Sequence, residues 1–574
     1  VLGLLALLVV VLWLALPSRL PALGLLGLIT AGGLARFYGT HPVIARQWLT
    51  KAATFENGAL ALILLAALGL RFAGLYQSLP YFDNPDEPVT VNAAIKMLQT
   101  GDLNPHFFRW PSLPFYTQFL VSIPTFFAGV SGGTIQDLKT IPPESFIFAG
   151  RIVSALLGTL TIFLAFLIGR ALYGSAAGLL GALILAVLPL HSEHSHYDTP
   201  DVMVTFCATM TLLFAVYIYR SGARRWYLWA GVATGLTLGA KYNVGVVLLT
   251  VVLAHFLTPS ERRGRLSWLA ATFGLTAGVF LLTTPFAVLD LPGFLNEMAF
   301  QVRHYTILGH GSASDDPSWS VYLYNFFDEA FVYQASLVVV GSILFALWRQ
   351  RREDWLILSF PAIGYIFFSS ARVHFSRNLL PLLPPLAILS AVFLLAIAGS
   401  LARLIKSRVQ SSESRVQKVK LFSVLSPQSS VLSTSLALGL FVVFFAFAIQ
   451  HSVLTDRYYL QPDTRREAGE WIVKNIPAGA KLRVEPETPI LPAGRYAGAD
   501  ERRPVGARPL EWYQEQGYDY LIASSYYYNP LSDTDKEAAA NYQALFQRTD
   551  RLVKEFPGDS RERPGPTIRI YKVK

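Results

Sequence analysis

Cysteine is almost missing from this chain of 574 residues, with Cys207 the only one. An internal disulfide is therefore excluded, and a lone cysteine inside the apolar run 202–219 reads as a small buried hydrophobe. Charge is scarce too: 15% of residues are charged against 53% hydrophobic, and the mean hydropathy is +0.40. That balance excludes an ordinary soluble globule and leaves many runs long enough to cross about 30 Å of hydrocarbon as helices. The net charge is +10, yet the basic residues sit in separate loops and form no continuous stripe. Nucleic acid is not expected as a partner.

The placement of the positive charge sets the expected topology. The connections 220–225, 260–265, 349–352 and 403–420 are strongly basic, whereas 77–144 carries Asp83, Asp86, Glu87, Asp102, Asp137 and Glu144 against Lys96, Arg109 and Lys139. With the basic loops taken as cytoplasmic, the pattern predicts a polytopic α-helical membrane protein of about 13 spans with a cytoplasmic N-terminus. The spans fall at 1–16, 20–38, 57–75, 146–169, 175–191, 201–219, 226–240, 243–257, 267–284, 331–348, 355–370, 378–398 and 432–450. The close succession of the first two favours a retained pair over a cleaved signal peptide. One apolar run breaks the parity. Residues 114–130 are aromatic and interrupted by Pro124, so the expectation is a helix lying on or dipping into the outer interface. Nearby Phe107, Phe108, Trp110, Phe115 and Tyr116 suit the headgroup layer.

The expected organisation is two extra N-terminal spans (1–56), then a membrane core (57–400) with outer loops at 76–145 and 285–330. A Ser-rich, basic, flexible cytoplasmic linker (401–431) and a last span (432–455) follow. Residues 456–574 change to the character of a small α/β domain on the outer side. There 464–476 and 535–546 read as helices, and 481–484, 518–523 and 567–573 as strands.

Three groups of residues could carry chemistry. The first is Tyr81-Phe-Asp-Asn-Pro-Asp-Glu-Pro88, where carboxylates at the mouth of a span are costly to desolvate and are retained mostly where they bind or react. Asp86 and Glu87 stand at the start of a short helix, where capping is the plain alternative to catalysis. The second is His191-Ser-Glu-His-Ser-His-Tyr-Asp-Thr-Pro-Asp201. Its imidazoles and carboxylates suit a divalent cation such as zinc, a polar contact to substrate or a solvated interfacial loop, and the spacing is not a diagnostic zinc pattern. The third is a set of outer cations and their neighbours, Arg151, Lys241 with Tyr242, Arg303 with His304 and Tyr305, His310, Arg372 and Arg377. They either snorkel to headgroups or, running against the positive-inside trend, hold a phosphate. Arg377 and Lys241 are the preferred candidates for the phosphate.

Together these residues resemble the GT-C membrane glycosyltransferases, in the branch of the protein O-mannosyltransferases and lipid A aminoarabinose transferases (glycosyltransferase family 39-like). The resemblance runs over residues 60–398. It comprises Asp86-Glu87, Gly101-Asp102 with Pro105, Pro111-Ser-Leu-Pro114, the stretch from Arg151 to Gly174, His196-Tyr-Asp-Thr-Pro-Asp201, Lys241-Tyr242 and Arg377-Asn-Leu-Leu-Pro381. It implies a GT-C fold and transfer of a sugar from a polyprenyl-phosphate donor to a protein, glycolipid or polymer acceptor at the outer face of the plasma membrane. Asp86 matches the family's general base. Where the aminoarabinose branch has a lysine-proline-proline segment, this chain has Trp110-Pro-Ser-Leu-Pro114, so that branch's phosphate-contacting lysine has no match here.

The resulting reading assigns Asp86 as base with Glu87 beside it as a second catalytic carboxylate. Substrate contacts are assigned to Asp83, Arg109, Arg151, His194, Asp201, Lys241, Tyr242, Arg303, His304 and Arg377. Tyr526, Tyr527 and Tyr528, just beyond a predicted strand, are expected to receive the acceptor or to pack the tail. The rival class is a transporter or flippase of a lipid-linked or polar substrate. It calls for ionisable residues in mid-span and repeated halves, whereas the charges here collect at span ends and no internal repeat is evident.

Overall fold

The computed structural model describes residues 55–139, 141–309, 316–413, 429–499, 503–529, 536–558 and 563–573. The expected spans at 1–16 and 20–38, His310, and 414–428 of the expected linker lie outside the described residues. The chain divides into two units, one comprising Asp86–Val453 together with the residues up to Phe72, the other Ala73–Pro85 with Leu454–Lys574.

In the first unit the apolar runs fold as helices wherever basic loops, glycine or proline bound them. Pro200 opens the helix Pro200–Ser221 at a position where its missing N–H costs nothing. Gly222 closes that helix in the left-handed region (φ 62°), and a Cβ there would overlap the Arg262 carbonyl oxygen. Small residues then let neighbouring helices approach. Gly231 on Arg224–Ala240 faces Leu266–Thr283 so closely that a Cβ would lie 2.7 Å from the Thr272 carbonyl oxygen. Thr272 and Thr276 return hydroxyl bonds across the same contact, at 3.0 Å to the Tyr227 carbonyl and 3.2 Å to that of Gly231. Small residues with hydroxyl bridges are how helices associate when lipid, not water, surrounds them.

Six helical stretches among the described residues are long and apolar enough to cross a membrane, Glu144–Tyr173, Pro200–Ser221 and Leu266–Thr283 among them. The protein is a polytopic α-helical membrane protein. Predicted and observed helices agree closely, for example 57–75 with Phe55–Phe72, 226–240 with Arg224–Ala240 and 355–370 with Arg352–Ser369.

Residues 114–130 form a helix as expected, Leu113–Ser131, which continues through Pro124 and has the length and composition of a span. One expectation is corrected: the linker expected from 401 does not begin there. The helix Leu383–Glu413 runs on, because Leu401, Ala402, Leu404 and Ile405 alternate with lysine and arginine, all good helix formers.

The second unit holds a four-stranded sheet in the order β1-β2-β4-β3 (Leu482–Val484, Tyr520–Ser524, Leu552–Phe556 and Ile568–Lys572 for β1 to β4). The pair β1/β2 is parallel, and β2/β4 and β4/β3 are antiparallel. Helices Thr464–Asn475 and Lys536–Gln547 accompany it. Ala468, Ile472, Leu482, Ile522 and Ile568 form one of its cores. β3 escaped the sequence reading because its middle residues, Val553 and Lys554, are exposed and break the alternation that marks a half-buried strand.

Candidate active site

Helix ends in the first unit bring together residues far apart in sequence. Asp86 occupies the N-cap position of Glu87–Thr100, but its side chain makes no capping bond. It accepts instead from the Arg377 guanidinium at 3.0 Å and stays about one-fifth exposed. Arg377 comes from the 3₁₀ turn Ser376–Leu382 and stacks over Phe375 at 4.1 Å. Its Nε also approaches Asp201 Oδ2 at 3.8 Å. Asp201, in the first turn of Pro200–Ser221, takes Lys241 Nζ at 2.6 Å. Lys241 sits where Arg224–Ala240 ends in extended backbone, and also donates to Asn378 Oδ1 at 3.0 Å. Asn378 Nδ2 in turn donates to the Tyr322 hydroxyl at 2.8 Å.

Asp86, Arg377, Asp201 and Lys241 thus form a chain of alternating charge at the rim of the apolar helices. Burial raises the Asp86 carboxyl above its ordinary value of 3.8, with Arg377 pulling the other way. Asn378 and Tyr322 were missed by sequence reasoning. Asn378 is adjacent to Arg377, so a 3₁₀ turn reading of 376–382 could have flagged it; no local signal marks Tyr322.

Glu87 has a different environment from its neighbour. It is fully buried, and both its oxygens are held by Arg151, Nε to Oε1 at 2.7 Å and NH2 to Oε2 at 2.7 Å. The backbone N–H of Asp198 adds a third bond at 3.0 Å. Asp198 itself accepts from Thr90 Oγ1 at 3.1 Å, and burial, helped by nearby Glu87, pushes its carboxyl up to about 8. Glu87 and Arg151 form a closed ion pair with no surface to offer a substrate. Asp83 belongs to the second unit, where Arg465 NH2 donates to it at 2.9 Å.

The histidine stretch folds inward, which sets aside the solvated-loop alternative. His191 is fully buried against Arg71 at 2.8 Å, and His196 Nδ1 contacts the Ser192 carbonyl at 3.0 Å. His194 lies against Tyr197, and burial pushes its imidazole down to about 4; Asp201, Arg377 and Lys241 are close enough to act on it. Among the described residues, no three of His, Cys, Asp and Glu gather closely enough to hold a metal ion.

The remaining predicted site residues are not drawn into the Asp86 cluster. Arg109 pairs with Glu297 at 2.9 Å and lies 4.4 Å above the Phe300 ring, on which His304 also stacks. Arg303 is exposed at the end of Leu291–Arg303. The Tyr242 hydroxyl donates to the Phe108 carbonyl at 3.2 Å.

Residues 144–288 match the family model described as dolichyl-phosphate-mannose-protein mannosyltransferase. An archaeal oligosaccharyltransferase from Archaeoglobus fulgidus, solved with an inhibitory peptide and a dolichol-phosphate, superposes with a TM-score of 0.50 at 12% identity, over 83% of this chain and 70% of that one. The fold is that of the GT-C glycosyltransferases.

ArnT from Cupriavidus metallidurans bound to undecaprenyl phosphate gives a TM-score of 0.49 at 15% identity, covering 89% of this chain and 98% of that one. In sequence, the chain is 25% identical over 337 residues to the undecaprenyl phosphate-alpha-4-amino-4-deoxy-L-arabinose arabinosyl transferase of Pseudomonas aeruginosa, covering 55% of this chain and 57% of the relative. An uncharacterized protein of Aquifex aeolicus is 26% identical over 305 residues, covering 52% and 55%. The chain spans a little over half the length of the curated relatives it matches.

Proposed function

We propose that the protein is an inverting glycosyltransferase that moves a sugar from a polyprenyl-phosphate donor to a protein, glycolipid or polymer acceptor at the outer face of the membrane. The supporting observation is the partly exposed Asp86 held at 3.0 Å by Arg377, with Lys241 bound to the same Asp201 that Arg377 approaches. It is a base beside two cations at the rim of apolar helices. A polyprenyl donor keeps its tail in the bilayer and its phosphate at the surface, and such a rim suits both.

In the proposed step the acceptor hydroxyl oxygen attacks the anomeric carbon as Asp86 takes its proton. The bond from that carbon to the phosphate oxygen breaks, and the lipid phosphate leaves with the electron pair. Arg377 and Lys241 hold the charge that builds on it, in a site poor in water. One displacement with one base inverts the centre. A donor phosphate competes with Asp86 for the Arg377 guanidinium, so its arrival frees the carboxylate to act as a base. Glu87 is reassigned from chemistry to positioning: through Arg151 and the Asp198 N–H it fixes the helix start that presents Asp86.

The test is transfer of radiolabelled sugar from a polyprenyl-phosphate donor by the purified full chain. Asp86→Asn keeps the shape and removes the basicity, and should lower turnover at least ~10²-fold. Wild-type turnover in that variant at equal abundance rejects the assignment. Arg377→Gln and Lys241→Gln should weaken donor use more than acceptor use, and equal effects on both would return these cations to headgroup anchoring.

A further inference from the structure

A second basic site lies on helices that contribute nothing to the Asp86 cluster. Between the end of Gln334–Arg349 and the later half of Leu383–Glu413 is an open cavity of about 710 Å³. Its walls combine Phe345, Trp348 and Leu395 with Arg349, Arg351 and Arg403.

The lining contains no acid. Arg349 is committed to Asp354, with Nε at 2.6 Å from Oδ2 and a second bond from NH2 to Oδ1. Arg403 donates to Ser400 Oγ at 3.0 Å, and Arg351 is exposed. Asp354 therefore neutralises one arginine of the three and leaves two positive charges at the cavity. The surrounding surface is apolar: Trp348 is 79% exposed, Leu344 61% and Leu404 60%. In a membrane protein such side chains face acyl chains, and tryptophan favours the depth of the headgroups. Arginine forks beside an exposed apolar strip match a ligand with a phosphate at one end and hydrocarbon at the other.

We propose that this cavity binds the headgroup phosphate of an anionic phospholipid, held by Arg351 and Arg403, with the acyl chains lying along Leu344 and Trp348. A free cytosolic anion has no use for the apolar strip. A zwitterionic lipid carries no net charge and neutralises neither arginine, whereas a singly anionic one neutralises one of the two. The site is independent of the sugar-transfer reading, since none of its residues belongs to the Asp86 cluster.

The experiment uses the full chain reconstituted in nanodiscs of phosphatidylcholine with and without phosphatidylglycerol, and native mass spectrometry of the detergent-released protein. Wild type should retain one phosphatidylglycerol that Arg351→Gln/Arg403→Gln loses, with apparent affinity falling by at least about tenfold. Arg351→Lys/Arg403→Lys keeps the charge and should recover part of the binding. Arg349 is left in place so that buried Asp354 keeps its partner. A thermal melt of the double variant in phosphatidylcholine alone, matching wild type, controls for folding.

Brominated-acyl phosphatidylglycerol should quench a tryptophan component that Trp348→Phe removes, more strongly than brominated phosphatidylcholine does. Equal phosphatidylglycerol retention by wild type and the Gln variant overturns the proposal. So does inorganic phosphate displacing or replacing the lipid as effectively as phosphatidylglycerol itself.

Discussion

Asp83, Asp86 and Glu87 are close neighbours in sequence, yet three different partners decide what each can do. Asp83 is engaged by the buried Arg465, Glu87 is enclosed by the buried Arg151, and Asp86 faces the partly exposed Arg377. A fully buried carboxylate held by both nitrogens of a buried guanidinium is out of a substrate's reach, whereas the proposed mechanism has Asp86 exchange Arg377 for a substrate. The two adjacent acids should therefore fail differently. Asp86→Asn should leave the melting temperature near that of wild type and lower transfer at least ~10²-fold. Glu87→Gln leaves Arg151 as a buried charge missing its counter-ion, and should cost about 3–5 kcal/mol of stability. It should appear first as lost membrane abundance and a lower melting temperature, and Glu87→Leu with Arg151→Met should regain part of it. Equal melting temperatures for Glu87→Gln and wild type would show that the pair is not structural.

The proposed mechanism also predicts a pH dependence. As the proposed base Asp86 works ionised, and burial raises its carboxyl above the usual 3.8. The rate should fall as pH drops through that raised value, so the acid limb of kcat/KM should lie above 3.8. Replacing Arg377 with Gln removes the group that pulls the value down and should move the limb to still higher pH.

At the scale of elements, turns and edges carry the sensitive positions. Gly222 ends the Pro200–Ser221 helix in a left-handed conformation against the Arg262 carbonyl, so Gly222→Ala should destabilise the first unit, measurable as a lower melting temperature. In the second unit two of the three tyrosines after β2, Tyr526 and Tyr528, have different surroundings. Tyr528 packs against Tyr542 and Phe546, with ring centroids 5.8 and 4.8 Å away, whereas Tyr526 is 44% exposed. Tyr528→Ala should lower the stability of this unit, and Tyr526→Ala should not. Any acceptor contact is accordingly expected from Tyr526, and loss of transfer with donor hydrolysis intact in Tyr526→Ala is the result that supports it.

The segment Ala73–Pro85 is part of this second unit. Tyr81 lies beneath the Arg465 guanidinium at 4.3 Å, and its hydroxyl accepts from the Ile490 N–H at 2.9 Å. Arg465, fully buried, also binds Asp463 at 2.7 Å and Glu487 at 2.9 Å. The sequence reading placed 76–145 in one outer loop and began the tail domain at 456. The fold instead assigns the first residues of that loop to the tail's unit, a long-range pairing that no local pattern announces.

For the whole molecule, the membrane arrangement is the open expectation. Cys207 is buried and is the single cysteine, which gives a low background for labelling. Cysteines introduced at exposed Ser131 and Asn529 should both react with an impermeant thiol reagent in intact cells, while one at exposed Arg224 should not. Protection of Ser131 alone would mean that Leu113–Ser131 crosses the bilayer.

What the sequence determined by itself was the material of the fold and the chemistry at hand. Runs of apolar residues with charge confined to their ends can only be satisfied as membrane helices, and their bounds follow from glycine, proline and basic loops. Asp86, Arg377, Lys241 and Asp201 were legible because charge at the mouth of a span is too costly to keep without use. Tertiary structure alone decided the partners. Whether a carboxylate is a base or half of a buried ion pair depends on which arginine reaches it, and Arg151 and Arg377 come to Glu87 and Asp86 from helices tens or hundreds of residues away. Such pairings follow from packing, which places helix ends side by side, and neither periodicity nor composition records them.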